Sequence, residues 1–287
     1  MSDTSTLKIE DTNDNYASCA VEIGSFKVTA IHDGYFELPI SFIAQPKGDL
    51  GLDTESTFHL DVNAFLVQSA THNLLIDAGS GGKMGPNVNR LVPNLAKNGL
   101  TPADIDFILC THIHPDHTNG LINTDNTPIF NNAQIFVHQT EIDYWLTDKQ
   151  YALAPADLRC VYDWAREAFA PYAGRTEAFT QGLILPGIEA LPLFGHTPGH
   201  SGFQIDGGGN KQLIIWGDAV HRIAIQSRDP DISAQADVNQ DDARASRRAL
   251  FDRVATDDVL VTGMHMSFPS FGRLRRKGVG YDYFAEH

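Results

Sequence analysis

The pattern of hydrophobic and polar positions changes near the start of the chain. Residues 1–20 are polar and rich in Asp, Asn, Ser and Thr, so we expect a solvated lead-in. From Glu22 to Ile31, apolar and polar residues alternate, which is typical of a half-buried strand, and Gly24 marks a turn or bulge within it. Residues 21–287 contain no linker rich in Pro, Gly or Ser, and we predict that they form a single domain.

Short apolar runs and segments of helical periodicity are interspersed along the rest of the chain. The predicted strands are residues 64–67, 73–76, 105–110, 133–137, 188–194, 202–205, 213–216 and 259–261. The predicted helices are residues 91–98, which precede a glycine stop signal, 139–146, 155–170 and 241–255. Strands outnumber helices, so the pattern predicts an α/β protein with sheets inside and helices outside.

Composition and charge narrow the possible functions. The 287 residues include 21 basic and 36 acidic side chains, for a net charge of −15. Nucleic acids and anionic membranes are bound through Lys and Arg patches, so we expect neither as a partner. No stretch approaches the roughly 20 apolar residues of a membrane span, and no signal peptide is predicted. The 3 cysteines are widely spaced, which fits a reducing compartment, and we expect a cytoplasmic protein.

The 12 histidines are the unusual feature, because several of them are clustered. His112 and His114 follow a predicted strand and lie two residues apart, so in an extended chain they project to the same side. Asp116 and His117 come after Pro115, which bends the backbone. One pair can therefore face one ion and the other pair a second ion. Imidazole and carboxylate suit zinc and its first-row neighbours. A polar surface loop that holds histidines by chance is the alternative, and it is rare at this spacing.

Three further strand ends carry residues of the ligand type. His196, Asp218 and His265 each lie just beyond an apolar strand, with a glycine nearby that allows close backbone approach. Each signal is weak alone, because a single histidine after a strand is more often a hydrogen-bonded structural residue. Together with the four candidates at residues 112–117, they complete a set of five histidines and two aspartates, enough for two metal ions.

These motifs, in this order, resemble the metallo-β-lactamase superfamily. The resemblance rests on the sequences at 112–117, 195–200 and 217–218, on His265, and on the strand–Asp–Gly motif at 75–79. It implies the αββα sandwich fold, with the metal site at one edge between the two sheets. It also implies that His112, His114 and His196 hold a first metal ion. The second ion would be held by Asp116, His117 and His265, with Asp218 bridging both.

The resemblance also implies roles around the ligands. Asp77 and Thr111 would orient ligands by hydrogen bonds, and Asp116 could carry a proton to the leaving group. His200 belongs to the motif and is interpreted as structural or as an orienting residue. His221 is either an orienting residue or simply a buried histidine.

The sequences at 26–34, 217–221 and 263–272 resemble the methyl-parathion-hydrolase-like and N-acyl-homoserine-lactonase-like branch. This branch implies a hydrolase with two divalent ions, zinc first, with manganese, cobalt and iron also acceptable. Such an enzyme opens a lactone of the N-acyl homoserine type, or a related neutral ester, by attack of a metal-bridging hydroxide. The alternative is a phosphotriester or aryl ester hydrolase. Phe268 and Phe271 line an apolar substrate pocket or are core residues. Relatives in this branch also imply a homodimer.

Two other function classes stay open at this point. An iron-dependent oxidoreductase on the same fold would use similar ligands, although no flavin-binding domain is visible. A non-catalytic metal-binding or interaction protein is the other, and the complete ligand set argues against it.

Overall fold

A computed structural model describes residues 8–9, 18–44 and 56–286. Within these ranges the strands are β1 (Lys8–Ile9), β2 (Ser18–Ile23), β3 (Phe26–Pro39), β4 (Ile43–Ala44), β5 (Thr57–Gln68), β6 (Asn73–Ile76), β7 (Phe107–Leu109), β8 (Gln134–His138), β9 (Thr176–Phe179), β10 (Gly182–Leu185), β11 (Ile188–Pro192), β12 (Ser201–Asp206), β13 (Gln212–Ile215), β14 (Ser233–Ala234), β15 (Leu260–Thr262), β16 (Gly272–Lys277) and β17 (Gly280–Ala285). The α-helices are α1 (Leu91–Lys97), α2 (Pro115–Thr118), α3 (Gln139–Glu141), α4 (Asp148–Leu153), α5 (Arg159–Phe169), α6 (Ile223–Gln226) and α7 (Gln240–Asp257), and a π-helix spans Ile142–Leu146.

Most strands of the described ranges belong to two sheets. The first sheet has the strand order β1-β2-β3-β5-β6-β7-β8-β9, and the second has the order β10-β11-β12-β13-β15-β16-β17. Alternation along the strands gives each sheet two apolar faces. In β5, Phe65 lies in the apolar core between the sheets, whereas Leu66 belongs to the cluster under α1 and α5. In β13, Ile215 faces the other sheet, and Ile214 packs in the cluster that includes Phe251 of α7. The layers are therefore helix, sheet, sheet and helix, and the predicted αββα sandwich is confirmed.

Because of the strand directions, several loops begin at the same edge of this sandwich. β6, β7 and β8 are parallel neighbours in the first sheet, and β13 and β15 are parallel in the second. β11 runs in the same direction as β13, because each is antiparallel to β12. Parallel strands end at the same edge of a sheet, so the segments that follow β6, β7, β11, β13 and β15 can converge there.

The predicted strands lie at the right places in the chain, but several of them begin or end at other residues in the structure. The pattern at 22–31 covers two strands, β2 and β3, joined by a turn in which Gly24 has φ 60°. β5 extends well beyond the predicted residues 64–67, because its outer half pairs with the long β3. The predicted strands do not include β1, β4, β9, β10, β14, β16 or β17. β16 reads GRLRRK, and a charged strand with one exposed face depends on pairing with its neighbour more than on its own sequence.

The predicted lead-in is only partly covered by the structure. Lys8–Ile9 pairs with Cys19 and Ala20, so two short parts of residues 1–20 belong to the first sheet. Residues 1–7 and 10–17 lie outside the described residues, and the boundary at residue 20 stays a prediction. In the described part of the chain, no helix has the length and apolar character needed to cross a bilayer.

Candidate metal centre

The first three predicted ligands meet where the loops after β7 and β11 come together. His112 Nε2 lies 3.0 Å from His114 Nδ1, and the same His114 atom lies 3.0 Å from His196 Nε2. Two nitrogens bound to one tetrahedral zinc ion lie about 3.3 Å apart. The three imidazoles, here called the first cluster, therefore have the spacing of ligands that share one ion.

Asp116, His117 and His265 form a second cluster beside the first. The Nε2 atoms of His117 and His265 lie 3.5 and 3.4 Å from Asp116 Oδ2. Asp116 and His117 come from α2, which begins at Pro115 directly after the histidine pair, and His265 follows β15. The proline at the first helical position turns the chain so that its ligands face a different point from those of the first cluster.

Asp218 lies between the two clusters. Its Oδ2 atom is 3.3 Å from His196 Nε2 and 3.1 Å from His265 Nε2, and its Oδ1 atom is 3.3 Å from His117 Nε2. One carboxylate thus faces both sets of imidazoles, as expected of a group shared by two cations.

The chemistry of these atoms fits bound cations. His117 Nε2 and Asp218 Oδ1 are buried and have no hydrogen-bond partner. A buried polar atom without a partner costs free energy, so a ligand that satisfies several such atoms at once is favoured. The donors are nitrogen and oxygen atoms only, because no cysteine of the described residues belongs to the groups that could hold an ion. This donor set fits zinc, manganese, cobalt or iron.

The second ring nitrogen of most of these histidines is held by an outer partner. His117 Nδ1 lies 2.7 Å from Asp77 Oδ2, His196 Nδ1 lies 2.9 Å from Asp237 Oδ1, and His265 Nδ1 lies 2.8 Å from the Asp61 carbonyl oxygen. An acceptor at Nδ1 keeps the proton there and leaves Nε2 free to bind a metal. These contacts orient the rings toward the two clusters.

Asp77 and Thr111, both predicted to orient ligands, form one hydrogen-bond network. The Asp77 carboxylate accepts from the Thr111 N–H at 2.7 Å and from its hydroxyl at 2.8 Å. The same hydroxyl lies 3.0 Å from His112 Nδ1. Asp77 adopts a left-handed backbone conformation with φ 60°, which a non-glycine residue rarely does without support from its surroundings. The network connects Asp77 to both clusters, through His117 and through His112.

His200 and His221 occupy different positions around Asp218. His200 Nδ1 donates to the Leu193 carbonyl, and its Nε2 accepts from the Asp218 N–H at 2.8 Å. Burial lowers the pKa of His200 to about 3, so the ring is neutral and fixes the backbone of Asp218. His221 Nε2 lies 3.2 Å from Asp218 Oδ2, and its ring stacks on His265. His221 is therefore beside the site and in contact with a ligand candidate.

The pKa values of the site reflect both burial and the charges of neighbouring side chains. Burial favours neutral imidazole and lowers the pKa of His112 and His114 well below the ordinary histidine value. Burial also lowers the pKa of His117, but the Asp218 carboxylate and its neighbours outweigh this and raise it well above that value. Burial raises the pKa of Asp218, whereas His117 and His265 bring it well below the usual range. Histidine binds metals as neutral imidazole, so cations bound here would replace protons.

The two aromatic residues predicted for a substrate pocket differ in their surroundings. Both border a small cavity of about 190 Å³ with Ile223, Met266 and Tyr283. Phe271 has no exposed surface and packs edge-on against Phe65 between the sheets, so its ring is a core side chain. The Phe268 ring lies 5.7 Å from that of His32 and is only partly buried.

Sequence reasoning missed three buried polar residues beside the site. Asp237 contacts His196, Asn63 contacts both carbonyls that flank His265, and Glu141 contacts both loops of the first cluster. None of them belongs to a motif. The sequence around Glu141 gave no clear signal, because residues 139–145 mix polar and apolar side chains and do not indicate a buried carboxylate.

Comparison with known sequences identifies related proteins. The sequence profile described as Metallo-beta-lactamase superfamily matches residues 58–265. The chain is 26% identical over 211 residues to Metallo-beta-lactamase domain-containing protein 1 of Xenopus laevis. This match covers 72% of the chain and 71% of that protein. It is 25% identical over 131 residues to an N-acyl homoserine lactonase of Bacillus thuringiensis. This second match covers 46% of the chain and 45% of the lactonase, less than half of either.

Two solved structures superpose on nearly the whole chain. A crystal structure of hydrolase AbOPH in the beta lactamase superfamily has a TM-score of 0.86 and 26% identity, covering 94% of this chain and 98% of that one. AidC, a dizinc quorum-quenching lactonase in complex with a product, has a TM-score of 0.86 and 23% identity, with the same coverage. At this identity the likeness to AidC demonstrates a common fold.

Proposed function

This chain belongs to the metallo-beta-lactamase superfamily as a metal-dependent hydrolase, and we propose that it opens a lactone of the N-acyl homoserine type or a related neutral ester with two divalent ions. The observation that carries the proposal is the position of Asp218, whose carboxylate lies 3.3 Å or less from imidazole nitrogens of both clusters. A site for a single ion would not need a carboxylate between two ligand sets.

The residues of each cluster have defined tasks in this proposal. The first cluster would hold one ion, the second cluster the other, and Asp218 would contact both. Two divalent ions at such a site supply Lewis acidity for a carbonyl or phosphoryl oxygen and lower the pKa of water. Asp77, Asp237 and the Asp61 carbonyl keep the ligand rings oriented.

Asp116 is the proposed proton carrier. Its side chain is 17% exposed, whereas those of His117, Asp218 and His265 are 3% exposed or less. It is therefore the carboxylate of the site that a substrate can reach. Its Oδ2 faces His117 and His265 as a ligand atom would, so the other carboxylate oxygen would take up the proton released in the attack and pass it to the leaving alkoxide.

The choice of a lactone or neutral ester is supported by relatives and by charge. The curated matches include N-acyl homoserine lactonases from Bacillus, and AidC is a lactonase with the same fold. An uncharged substrate also suits a chain with a net charge of −15, because an anion would be repelled. We further propose zinc as the native metal, a homodimer and a cytoplasmic location, all of which stay predictions from sequence.

Hydrolysis by one metal-loaded preparation tests the proposal. The protein, reconstituted with zinc, is assayed against N-acyl homoserine lactones and aryl phosphotriesters, and we expect faster turnover of the lactones. Faster turnover of phosphotriesters would replace this substrate class with the alternative one, and no turnover of either would overturn the proposal. His114→Ala should reduce turnover to background. His72→Ala, which changes a half-exposed histidine away from the site, is the matched control and should not.

A further inference from the structure

Glu141 is a fully buried carboxylate that the catalytic proposal does not use. It is the last residue of α3 and is followed directly by the π-helix Ile142–Leu146, a rare element that is frequent at functional sites. Its Oε2 atom accepts from Ile113 N–H at 2.9 Å and from Trp145 Nε1–H at 3.0 Å, and its Oε1 atom accepts from Gly199 N–H at 2.7 Å. Both oxygens act only as acceptors, as in an ionised carboxylate.

Each of the three donors lies close to a ligand of the first cluster, either in the same loop or against its ring. Ile113 lies between His112 and His114 in the chain, and Gly199 belongs to the loop between β11 and β12 that carries His196. The Trp145 indole packs edge-on against the His114 ring, with 5.3 Å between the ring centroids. One side chain therefore connects the two loops that carry this cluster, although it comes from a third segment of the chain and is not itself among the ligand candidates.

Gly199 packs closely against Glu141 and His138, where no side chain fits. A Cβ atom added to Gly199 would lie 2.9 Å from Glu141 N and 2.9 Å from His138 Nδ1. Such distances are shorter than van der Waals contact, so glycine is required for the loop to approach the carboxylate. The loop after β11 is thus fitted to Glu141 by shape as well as by hydrogen bonding.

We propose that Glu141 is a positioning residue that sets the separation of the two loops carrying His112, His114 and His196, and thereby the affinity of the first cluster for its metal ion. This inference rests on the proposed metal centre. It predicts a one-sided effect, because the outer ring nitrogens of His117 and His265 in the second cluster are held by Asp77 and by the Asp61 carbonyl of β5 rather than by Glu141.

Glu141→Gln is the sharpest variant, because it keeps shape and replaces one acceptor with a donor. The amide oxygen can accept from Ile113 and Trp145, but the amide nitrogen then faces the N–H of Gly199 and the connection between the loops is lost. We expect the affinity for one of two Co²⁺ or Zn²⁺ ions, measured by competition with a chelator, to fall by about 10–100-fold. The affinity for the other ion should stay within a few-fold of wild type. The absorption spectrum of the Co²⁺ form should change accordingly.

Asp33→Asn provides the matched control. Asp33 is also a fully buried carboxylate that accepts three backbone N–H groups, from Ser80, Arg90 and Leu91 at 2.8–2.9 Å. It anchors the start of α1, and its hydrogen bonds go to backbone groups outside the seven ligand candidates. We expect Asp33→Asn to lower the melting temperature without changing either metal affinity.

Gly199→Ala tests the same connection while leaving the carboxylate intact. The added methyl group pushes the loop away from Glu141, so we expect selective weakening of the same ion. If either Glu141→Gln or Gly199→Ala binds both ions as the wild type does, or if both ions weaken equally, the inference is wrong. A wild-type chain that binds two ions but hydrolyses no lactone or ester would contradict the proposed function. The metal affinities of the variants would still test the role of Glu141. A wild-type chain that binds no metal would overturn both.

Discussion

The two clusters of the metal centre are built on different parts of the fold. The second cluster is held from the first sheet: His117 is bonded to Asp77 at the end of β6, and His265 to the Asp61 carbonyl of β5. Asn63, also in β5, donates to the Met264 and Met266 carbonyls at 3.0 and 2.8 Å, on either side of His265. Asp61 and Asn63 are strand residues and Asp77 directly follows a strand, so the positions of these partners follow from sheet pairing.

The first cluster has a different support. His196 is bonded to Asp237, which lies in the loop before α7, and the loops of all three histidines meet at Glu141 in the helical segment after β8. Sheet pairing does not define the positions of these two carboxylates. The comparison indicates that the second cluster follows from the sandwich itself, whereas the first depends on side chains from segments that are added to it.

The largest expected effect comes from the residue that the two clusters share. Asp218→Ala removes the carboxylate between them, so we expect loss of both ions and hydrolysis at background level. Metal content after dialysis and turnover of a lactone are the measurements. If two ions remain bound, the clusters do not depend on a shared carboxylate.

Asp77→Asn should have the next largest effect, because Asp77 contacts both clusters. Asp77 accepts from His117 Nδ1 and from the Thr111 N–H through different oxygens, and an amide has only one acceptor oxygen, so one of these contacts is lost and the network through Thr111 to His112 is disturbed. We expect the affinities for both ions to fall by about 10–100-fold, with the second cluster affected more. Chelator competition measures the two affinities, and an unchanged second affinity would contradict the assignment.

Asp237→Asn should affect only the first cluster. The carboxylate accepts from His196 Nδ1 and from Ala234 N–H, and an amide can satisfy only one of these donors. We expect one affinity to fall by about tenfold, at the lower end for outer hydrogen-bond partners of metal ligands. The same titration measures it, and equal loss at both ions would remove the distinction between the two supports.

Asn63→Ala should give the smallest effect, confined to the second cluster. The backbone N–H of Asn63 still donates to the Met264 carbonyl, so the loop keeps one of its contacts with β5. We expect a loss of about 1–3 kcal/mol in the free energy of unfolding, because the buried Met266 carbonyl loses the donor that Asn63 supplies. The second affinity should change by less than for Asp77→Asn. Chemical denaturation and metal titration together check this, and a large change at the first cluster would contradict it.

Much of the site was predictable because its signals are local in the chain. His112, His114, Asp116 and His117 fall within six residues of the sequence, and the remaining ligand candidates lie at strand ends next to glycine. Few structures other than a metal site need such residues at this spacing, and the structure brings all seven together. The strand ends were predictable because apolar runs are short and end sharply at the motif residues. As metal ligands, the seven residues stay a prediction that the titrations test.

The amino-acid sequence by itself indicated an α/β protein through its alternating apolar and polar positions, and its family motifs implied the αββα architecture and a set of candidate metal ligands. Asp77 and Thr111 were predicted to orient ligands, but only the tertiary structure revealed the other residues that contact the ligand loops. Glu141, Asp237 and Asn63 act through contacts across distant parts of the chain, and no spacing in the sequence encodes such contacts. The same reason applies to Phe271, since a phenylalanine in a core and one in a pocket have the same sequence signal until the neighbouring sheet is in place.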